Sequence, residues 1–348
     1  MKTTLVFRAA AVMLGMVLAS SATAEPAPAP DAKPRIVILA TGGTIAGTKA
    51  DPNTRYRSGT TTVDTLVNAV PSLAQVATIE AEQVSNVGSQ DMNDEIWARL
   101  AVRVAALRAR PDVAGIVITH GTDTLEETAM FLDLLFPTGK PIVLTAAMRP
   151  SDAVSADGPR NMLEAAMVAS SPAAADRGAL VVLNDVIHAA RRVSKINTSD
   201  VNAFASDERG LLGRIDEGRI RFFADPPPAR QAVAVPLPIP NRLPKVAILY
   251  SHAGVDPDLV RILPSLGYRG IVLAGVGNGN TSKAMLDALA EAARKGMVVV
   301  RASRVPAGSV LSDVEVDDKA LGFEASLDLN PQKARVALQL RLLAAGRK

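Results

Sequence analysis

Short aliphatic runs recur along the chain, each bounded by Gly, Pro or polar residues: IVILA at 36–40, VAGIVIT at 113–119, PIVLTA at 141–146 and GALVVL at 178–183. Apolar runs of this length without alternation predict strands covered on both faces, the environment of a parallel sheet. Between them the period changes. Ile96, Leu100, Val104 and Leu107 recur at helical spacing, as do Leu125, Ala129 and Leu132, then Met162, Ala165, Ala166 and Ala169, so each connection carries an apolar stripe to lay on a sheet. Strands alternating with helices predict an α/β fold: a mainly parallel sheet with right-handed crossovers and helices on both sides, three layers in all.

That larger N-terminal domain is expected over residues 35–224. Seven of the 23 prolines then fall between Asp225 and Pro244, a density that helix interiors and central strands do not tolerate, so 225–244 is expected to be an interdomain linker. A smaller C-terminal α/β domain is expected over 245–348. There VAILY at 246–250, GIVLAG at 270–275 and MVVV at 297–300 read as strands. One helix is expected from about Thr281 to Arg294, and another opens at Asn330-Pro331, an N-cap followed by proline at the first helical position.

The first residues follow a different pattern. Lys2 and Arg8 precede the apolar run Ala9–Ala19, and Ala22-Thr23-Ala24 before Glu25 has the A-x-A form of a signal-peptidase site. Residues 1–24 are therefore expected to be a signal peptide cleaved near Ala24, with 25–34 (EPAPAPDAKP) a flexible lead-in. The run is shorter than the ~20 apolar residues that span a bilayer, and no later segment resembles a span. The expected location is the periplasm or the medium, with no membrane partner. Cleavage would remove Lys2 and Arg8 and no carboxylate, lowering the formal charge from +3 to +1.

Composition narrows the chemistry. The chain of 348 residues is 48% hydrophobic and 21% charged but only 3% aromatic, so aliphatic packing dominates and sites built on stacked rings are disfavoured. With no cysteine and three histidines (His120, His188, His252), disulfides, thiolate nucleophiles and Cys/His zinc sites are excluded. Basic residues are scattered, Arg191-Arg192 being the only adjacent Arg pair, which leaves no footprint for nucleic acid or a lipid surface. The arginine clusters and Asp317-Asp318 read as solvated surface.

In an open parallel sheet, ligands bind beyond the carboxyl ends of the strands, and two strand exits look alike. IVILA runs into Thr41-Gly42-Gly43-Thr44-Ile45-Ala46-Gly47, and GIVIT into His120-Gly121-Thr122-Asp123-Thr124. Glycines there permit tight turns and close backbone approach, and each turn presents a hydroxyl. The first loop matches neither phosphate-binding glycine pattern. A threonine needs a base to become a nucleophile. His120 could serve, although a structural role at the strand exit is the plainer reading; a desolvated lysine or a nearby tyrosine is the alternative. On spacing alone Lys195 is a surface lysine, and Asp123 an N-cap of the helix that follows it.

Nine segments together carry a resemblance: TGGTIAG (41–47), GSQDMND (88–94), ITHGTDTLEETA (118–129), AMRP (147–150), SADGPRN (155–161), GVGNGN (275–280), SRVPAG (303–308), EVDD (315–318) and LNPQKAR (329–335). In this order, and over essentially the whole chain after residue 34, they resemble the bacterial type II L-asparaginases. The resemblance implies hydrolysis of the side-chain amide of L-asparagine to L-aspartate and ammonia, with no metal or organic cofactor. It implies Thr44 as the nucleophile that forms an acyl-enzyme, with Tyr56 as its hydroxyl neighbour. Thr122, Asp123 and Lys195 would form a second cluster, in which the lysine lowers the cost of taking the Thr122 proton. Ser89 and Gln90 match positions that hold the α-carboxylate and α-amino end of the substrate, and Asp123 and Glu315 match those facing the ammonium group.

The same resemblance implies a homotetramer in which Glu315 reaches a neighbouring subunit's site. The polar stretch 49–59, with Asp51-Pro52-Asn53, is expected to be a lid that brings Tyr56 in. One departure concerns Tyr250-Ser251-His252-Ala253-Gly254-Val255, where Gly254 falls at a position that is Asn in many members. A substrate contact from the partner is therefore absent, or replaced by Ser251 or His252, and the choice between asparagine and glutamine stays open. The nearest variant is a mixed glutaminase-asparaginase; from another class, an exported amino-acid-binding protein would also have a signal peptide, two α/β domains and a crevice.

Overall fold

The computed structural model describes residues 33–47 and 62–346. The expected signal peptide, most of the lead-in, the expected lid and Tyr56 lie outside the described residues.

Among the described residues, strands β1 (Arg35–Gly42), β2 (Thr78–Val87), β3 (Val113–Thr119), β4 (Ile142–Thr145), β5 (Ala179–Leu183) and β6 (Val186–Ala189) belong to one large sheet. After β7 (Val193–Lys195) and β8 (Phe204–Ser206), which pair only with each other, β9 (Gly213–Asp216) and β10 (Arg219–Phe222) complete it. The order is β10-β9-β6-β5-β4-β3-β1-β2. The five strands β2-β1-β3-β4-β5 are parallel, and β6, β9 and β10 extend the sheet antiparallel.

The unbroken apolar runs follow from this architecture. Along β1, Val37 and Leu39 enter one core and Ile36, Ile38 and Ala40 the other, so both strand faces are buried and no alternation survives. Helices α1 (Val63–Asn68) and α2 (Leu73–Val76) precede β2. Helices α3 (Asp94–Ala109) and α4 (Leu125–Leu135) cover one sheet face and α5 (Gly158–Ser170) the other. Asn93 and Thr62 cap α3 and α1 by accepting bonds from Ile96 N and Thr65 N, the expected use of short polar side chains at an N-cap.

Residues 226–244 contain no helix or strand but are fastened to the large sheet's helical layer. Arg230 donates twice to the buried Asp133 of α4, at 2.6 and 2.8 Å. Leu243 N donates to Asp94, and Ile239 and Leu243 are buried among the side chains of α3 and α4.

A four-stranded parallel sheet follows, formed by β11 (Val246–Tyr250), β12 (Gly270–Gly275), β13 (Val298–Ser303) and β14 (Phe323–Ala325). Helices α6 (Asp258–Ile262) and α7 (Lys283–Arg294) lie on one face, α8 (Asp318–Leu321) precedes β14, and α9 (Pro331–Ala345) lies on the other face. Helix α9 is apolar on two sides. Ala334, Leu338 and Leu342 pack on the smaller sheet, whereas Val336 and Leu340 enter a core of the larger one.

One surface reading is corrected. Asp318 is 3% exposed, and its carboxylate receives the fully buried Arg301 guanidinium through two bonds of 2.6 Å. The remaining guanidinium hydrogens reach Asn278 O, Gly279 O and Leu311 O. Arg301 thus ties together the loops that carry Asn280 and Glu315. A charge pattern alone does not distinguish such a buried fork from a solvated acidic pair.

Candidate active site

The order β2-β1-β3 places two successive crossovers on opposite sides of β1, and the crevice of an open α/β sheet forms at such a reversal. Strands β1 and β3 run side by side to their ends, with Ala40 opposite Thr119. The two glycine-threonine turns therefore leave the sheet as neighbours. Thr41 Oγ1 donates to Thr119 O at 2.9 Å, and Gly43 N to Val87 O at 2.9 Å, which fixes the first turn to both flanking strands.

Two glycines set the distance between the turns. Gly43 has φ +85°, a left-handed value that favours glycine. A Cβ there would stand closer than 3.0 Å to Gly121 N and Cα, and one on Gly121 would lie 2.6 Å from Ser89 Oγ and 3.1 Å from Gly43 Cα. The backbones touch, and Thr44 and Thr122, each the next residue, line the same cleft of about 500 Å³ with Ser89, Gln90, Asp123 and Lys195.

Within the cleft Lys195 Nζ donates to Thr122 Oγ1 at 2.8 Å and to Asp123 Oδ1 at 2.6 Å. Thr122 is 6% exposed. Because its oxygen accepts from an ammonium, its own hydrogen is directed to another acceptor, and the cation favours developing negative charge on that oxygen. Ser89 Oγ accepts from Asp123 N at 3.1 Å, leaving the serine hydrogen to donate elsewhere, and Ser89 O accepts from Thr124 Oγ1 at 2.7 Å. The cleft therefore offers a carboxylate and hydroxyl donors together, a set matched to a small zwitterion.

The N-cap reading of Asp123 is corrected: the cap of α4 is Thr124, and the Asp123 side chain faces Lys195. Glu315 does not line this cleft; it accepts from Asn280 Nδ2 in the loop after β12. Ser251 is 2% exposed and shares a hydrogen bond of 2.9 Å with Thr281, so its hydroxyl is already engaged. His252 is exposed, and Gly254 has φ +72° with, among the described residues, nothing within 4 Å of where a Cβ would stand.

His120 is fully buried and cannot be the base. Trp97 Nε1 donates to Thr128 Oγ1 at 2.9 Å, that hydroxyl shares a hydrogen bond of 2.9 Å with His120 Nε2, and His120 Nδ1–H donates to Gly121 O at 2.7 Å. Both ring nitrogens are thus already engaged by these partners. Burial lowers its pKa to about 4, so His120 is a strand-exit strut that braces the Gly121 carbonyl.

Sequence reasoning missed Met148, Pro150 and Thr198, which also line the cleft. Asp157 accepts from Met148 N and Arg149 N at 2.9 Å each, and Ser151 N and Oγ both donate to Gly47 O. A Cβ on Gly158 would lie 3.0 Å from Ile45. The AMRP and SADGPRN segments thus buttress the turn that carries Thr44. Their only signal in the sequence was their place among the recognised segments.

Comparison with known proteins adds independent findings. A family profile described as "Asparaginase, N-terminal" matches residues 35–228, and one described as "Glutaminase/Asparaginase C-terminal domain" matches 245–347. "L-asparaginase 2" of Escherichia coli (strain K12) is 50% identical over 89% of this chain and 89% of its own. "Probable L-asparaginase periplasmic" of Haemophilus influenzae is 47% identical over 89% and 88%. The crystal structure titled "Probable Cytoplasmic L-asparaginase from Campylobacter jejuni" superposes with a TM-score of 0.82 at 45% identity, covering 89% of this chain and 95% of that one.

Proposed function

The chain belongs to the asparaginase family, whose activity is hydrolysis of L-asparagine to L-aspartate and ammonia, and from that premise we propose which residues perform it. The observation that carries the reading is that Thr44 and the Thr122–Asp123–Lys195 cluster line one cleft.

Ser89 and Gln90 hold the substrate's α-carboxylate and α-amino end, and Asp123 faces the ammonium. Fixing both ends brings the amide carbon to Thr44, converting a bimolecular attack into a positioned one. Thr44 Oγ1 attacks that carbon while the Tyr56 hydroxyl takes its proton and passes its own to the amide nitrogen. The C–N bond breaks, the protonated nitrogen leaves as ammonia, and the acyl group remains on Thr44 until water hydrolyses the ester. Lys195 lowers the cost of withdrawing the Thr122 proton, so Thr122 acts as a second proton relay at the same carbon. Gly43 N and Asp123 N are committed to Val87 O and Ser89 Oγ, so the oxyanion is met by other amides of the two turns.

The finer readings are part of the same proposal. Residues 1–24 direct export to the periplasm, supported by the A-x-A site and by the periplasmic relative. The domains are 35–224 and 245–348, with 225–244 as the link between them. The protein is a homotetramer whose sites are completed by Glu315 of a neighbouring copy. Exposed apolar side chains on the edge strand β11 (Ile248, Tyr250) and on α6 (Leu259, Ile262) support burial against another copy.

Ammonia release from L-asparagine, L-glutamine and their D forms tests the reading. Thr44→Ala should abolish release from L-asparagine while leaving the fold and ligand binding intact; normal turnover by that variant would overturn the assignment.

A further inference from the structure

We infer that the turn Asp328–Lys333, which opens α9, holds the strand that carries Lys195 in place, and that Lys333 is a positioning residue for that lysine. The inference rests on the catalytic reading of Lys195 given above.

Strand β7 has only three residues and among the described residues pairs with β8 alone, and a two-stranded ribbon is marginal without outside support. The support comes from the other end of the chain. Lys333 Nζ donates to Arg191 O at 3.2 Å and to Val193 O. Asn330 Nδ2 donates to Ser194 Oγ at 3.1 Å. Asp328 receives the Arg191 guanidinium at 2.8 and 2.6 Å and also pairs with Arg209. Arg191, Val193 and Ser194 are therefore each tied to the turn immediately before Lys195 projects toward Thr122.

Lys333 occupies an unfavourable position for a cation. It is 2% exposed and lies in the first turn of α9, where the helix dipole opposes positive charge. Among the described residues no carboxylate lies within ion-pair distance of it; Glu126, Asp207 and Asp328 act on it only from farther away. Burial lowers its pKa to about 8. A methionine would fill similar space without that penalty, so what the ammonium supplies is hydrogen bonds to two carbonyls of the Lys195 strand.

The test uses the full-length enzyme and the variants Lys195→Met, Lys333→Met, their double variant and Asn330→Ser, the last keeping a capping hydroxyl while losing the amide that reaches Ser194. The assays are steady-state ammonia release from L-asparagine and thermal melting. Folded Lys333→Met should lose about 10²-fold in kcat with KM within about threefold, the size of effect expected from displacing a catalytic group by ~1 Å. Added to Lys195→Met, it should cost nothing further, because residues acting through one group are not additive. Asn330→Ser should lose about tenfold in kcat at an unchanged melting temperature. Wild-type kcat in folded Lys333→Met, or an additive loss in the double variant, overturns the inference; if Lys333→Met fails to fold, wild-type kcat in Asn330→Ser does so. Full turnover by Lys195→Met would instead overturn the underlying reading of Lys195.

Discussion

Gly43→Ala is a change of one methyl group that separates the geometry of the site from the stability of the fold. The added Cβ would fall short of ordinary contact with Gly121 N and Cα, 3.4 Å, by about 1 Å. Its neighbours are backbone atoms, so no side chain can rotate away. Relief requires the turns after β1 and β3 to part by about that distance, carrying Thr44 away from Thr122 and Lys195. The backbone adds a second cost of about 1–3 kcal/mol, since Gly43 at φ +85°, ψ −171° occupies a region essentially confined to glycine. Gly218→Ala supplies the control: its φ is also positive, +76°, but among the described residues nothing lies within 4 Å of its Cβ position, so it bears a positive-φ cost without the collision. Both variants should melt a few degrees lower, about 2–4 °C per kcal/mol for a domain of this size. Only Gly43→Ala should lose activity in the ammonia-release assay, by about 10²-fold in kcat. Gly43→Ala with kcat within twofold of wild type, or no less active than Gly218→Ala, would refute the argument that glycine contact sets the spacing of the two hydroxyls.

Three other outcomes follow from the same structure. Burial holds His120 and His188 near pKa 4 against an ordinary 6.5, so the unfolded chain binds more protons between those values. Each histidine's contribution is complete above pH 6.5 and is lost toward pH 4, about 3 kcal/mol apiece; urea unfolding at pH 7 and pH 4.5 should show the loss, and His188→Asn should reduce it, whereas pH-independent stability would contradict the assignment. Asp318→Asn leaves the Arg301 guanidinium buried without its counter-charge and should cost about 3–5 kcal/mol by chemical denaturation; a loss under 1 kcal/mol would show that the pair does not hold the smaller sheet's loops. Coexpressed Thr44→Ala and Glu315→Ala chains, each inactive alone, should regain turnover in mixed oligomers; mixtures as inactive as their parents would rule out sites shared between copies.

The chain's patterning made the central strands legible because β1, β3, β4 and β5 are buried on both faces and must be apolar throughout. Strand β2 escaped the same reading. It lies at the sheet edge, and its sequence TIEAEQVSNV buries only Val84, so it carries no apolar run. The antiparallel strands β6, β9 and β10 are four residues each, too short for a period to register. At the site, the glycine turns were visible as strand exits, but local spacing could not bring in Lys195, which is 73 residues from Thr122 along the chain and arrives on a ribbon outside the sheet. The family resemblance supplied that residue. Asp318 shows the converse error: a carboxylate beside another in sequence read as solvated, because its guanidinium partner lies on β13 and only the fold joins strand and helix.

The most direct test of the account is to quench the enzyme with acid during turnover of L-asparagine, digest it and locate the acyl group by mass spectrometry. An aspartyl ester is expected on the peptide containing Thr44, at that residue, and none in Thr44→Ala. An ester found on Thr122, or continued turnover by Thr44→Ala without any acyl adduct, would contradict it.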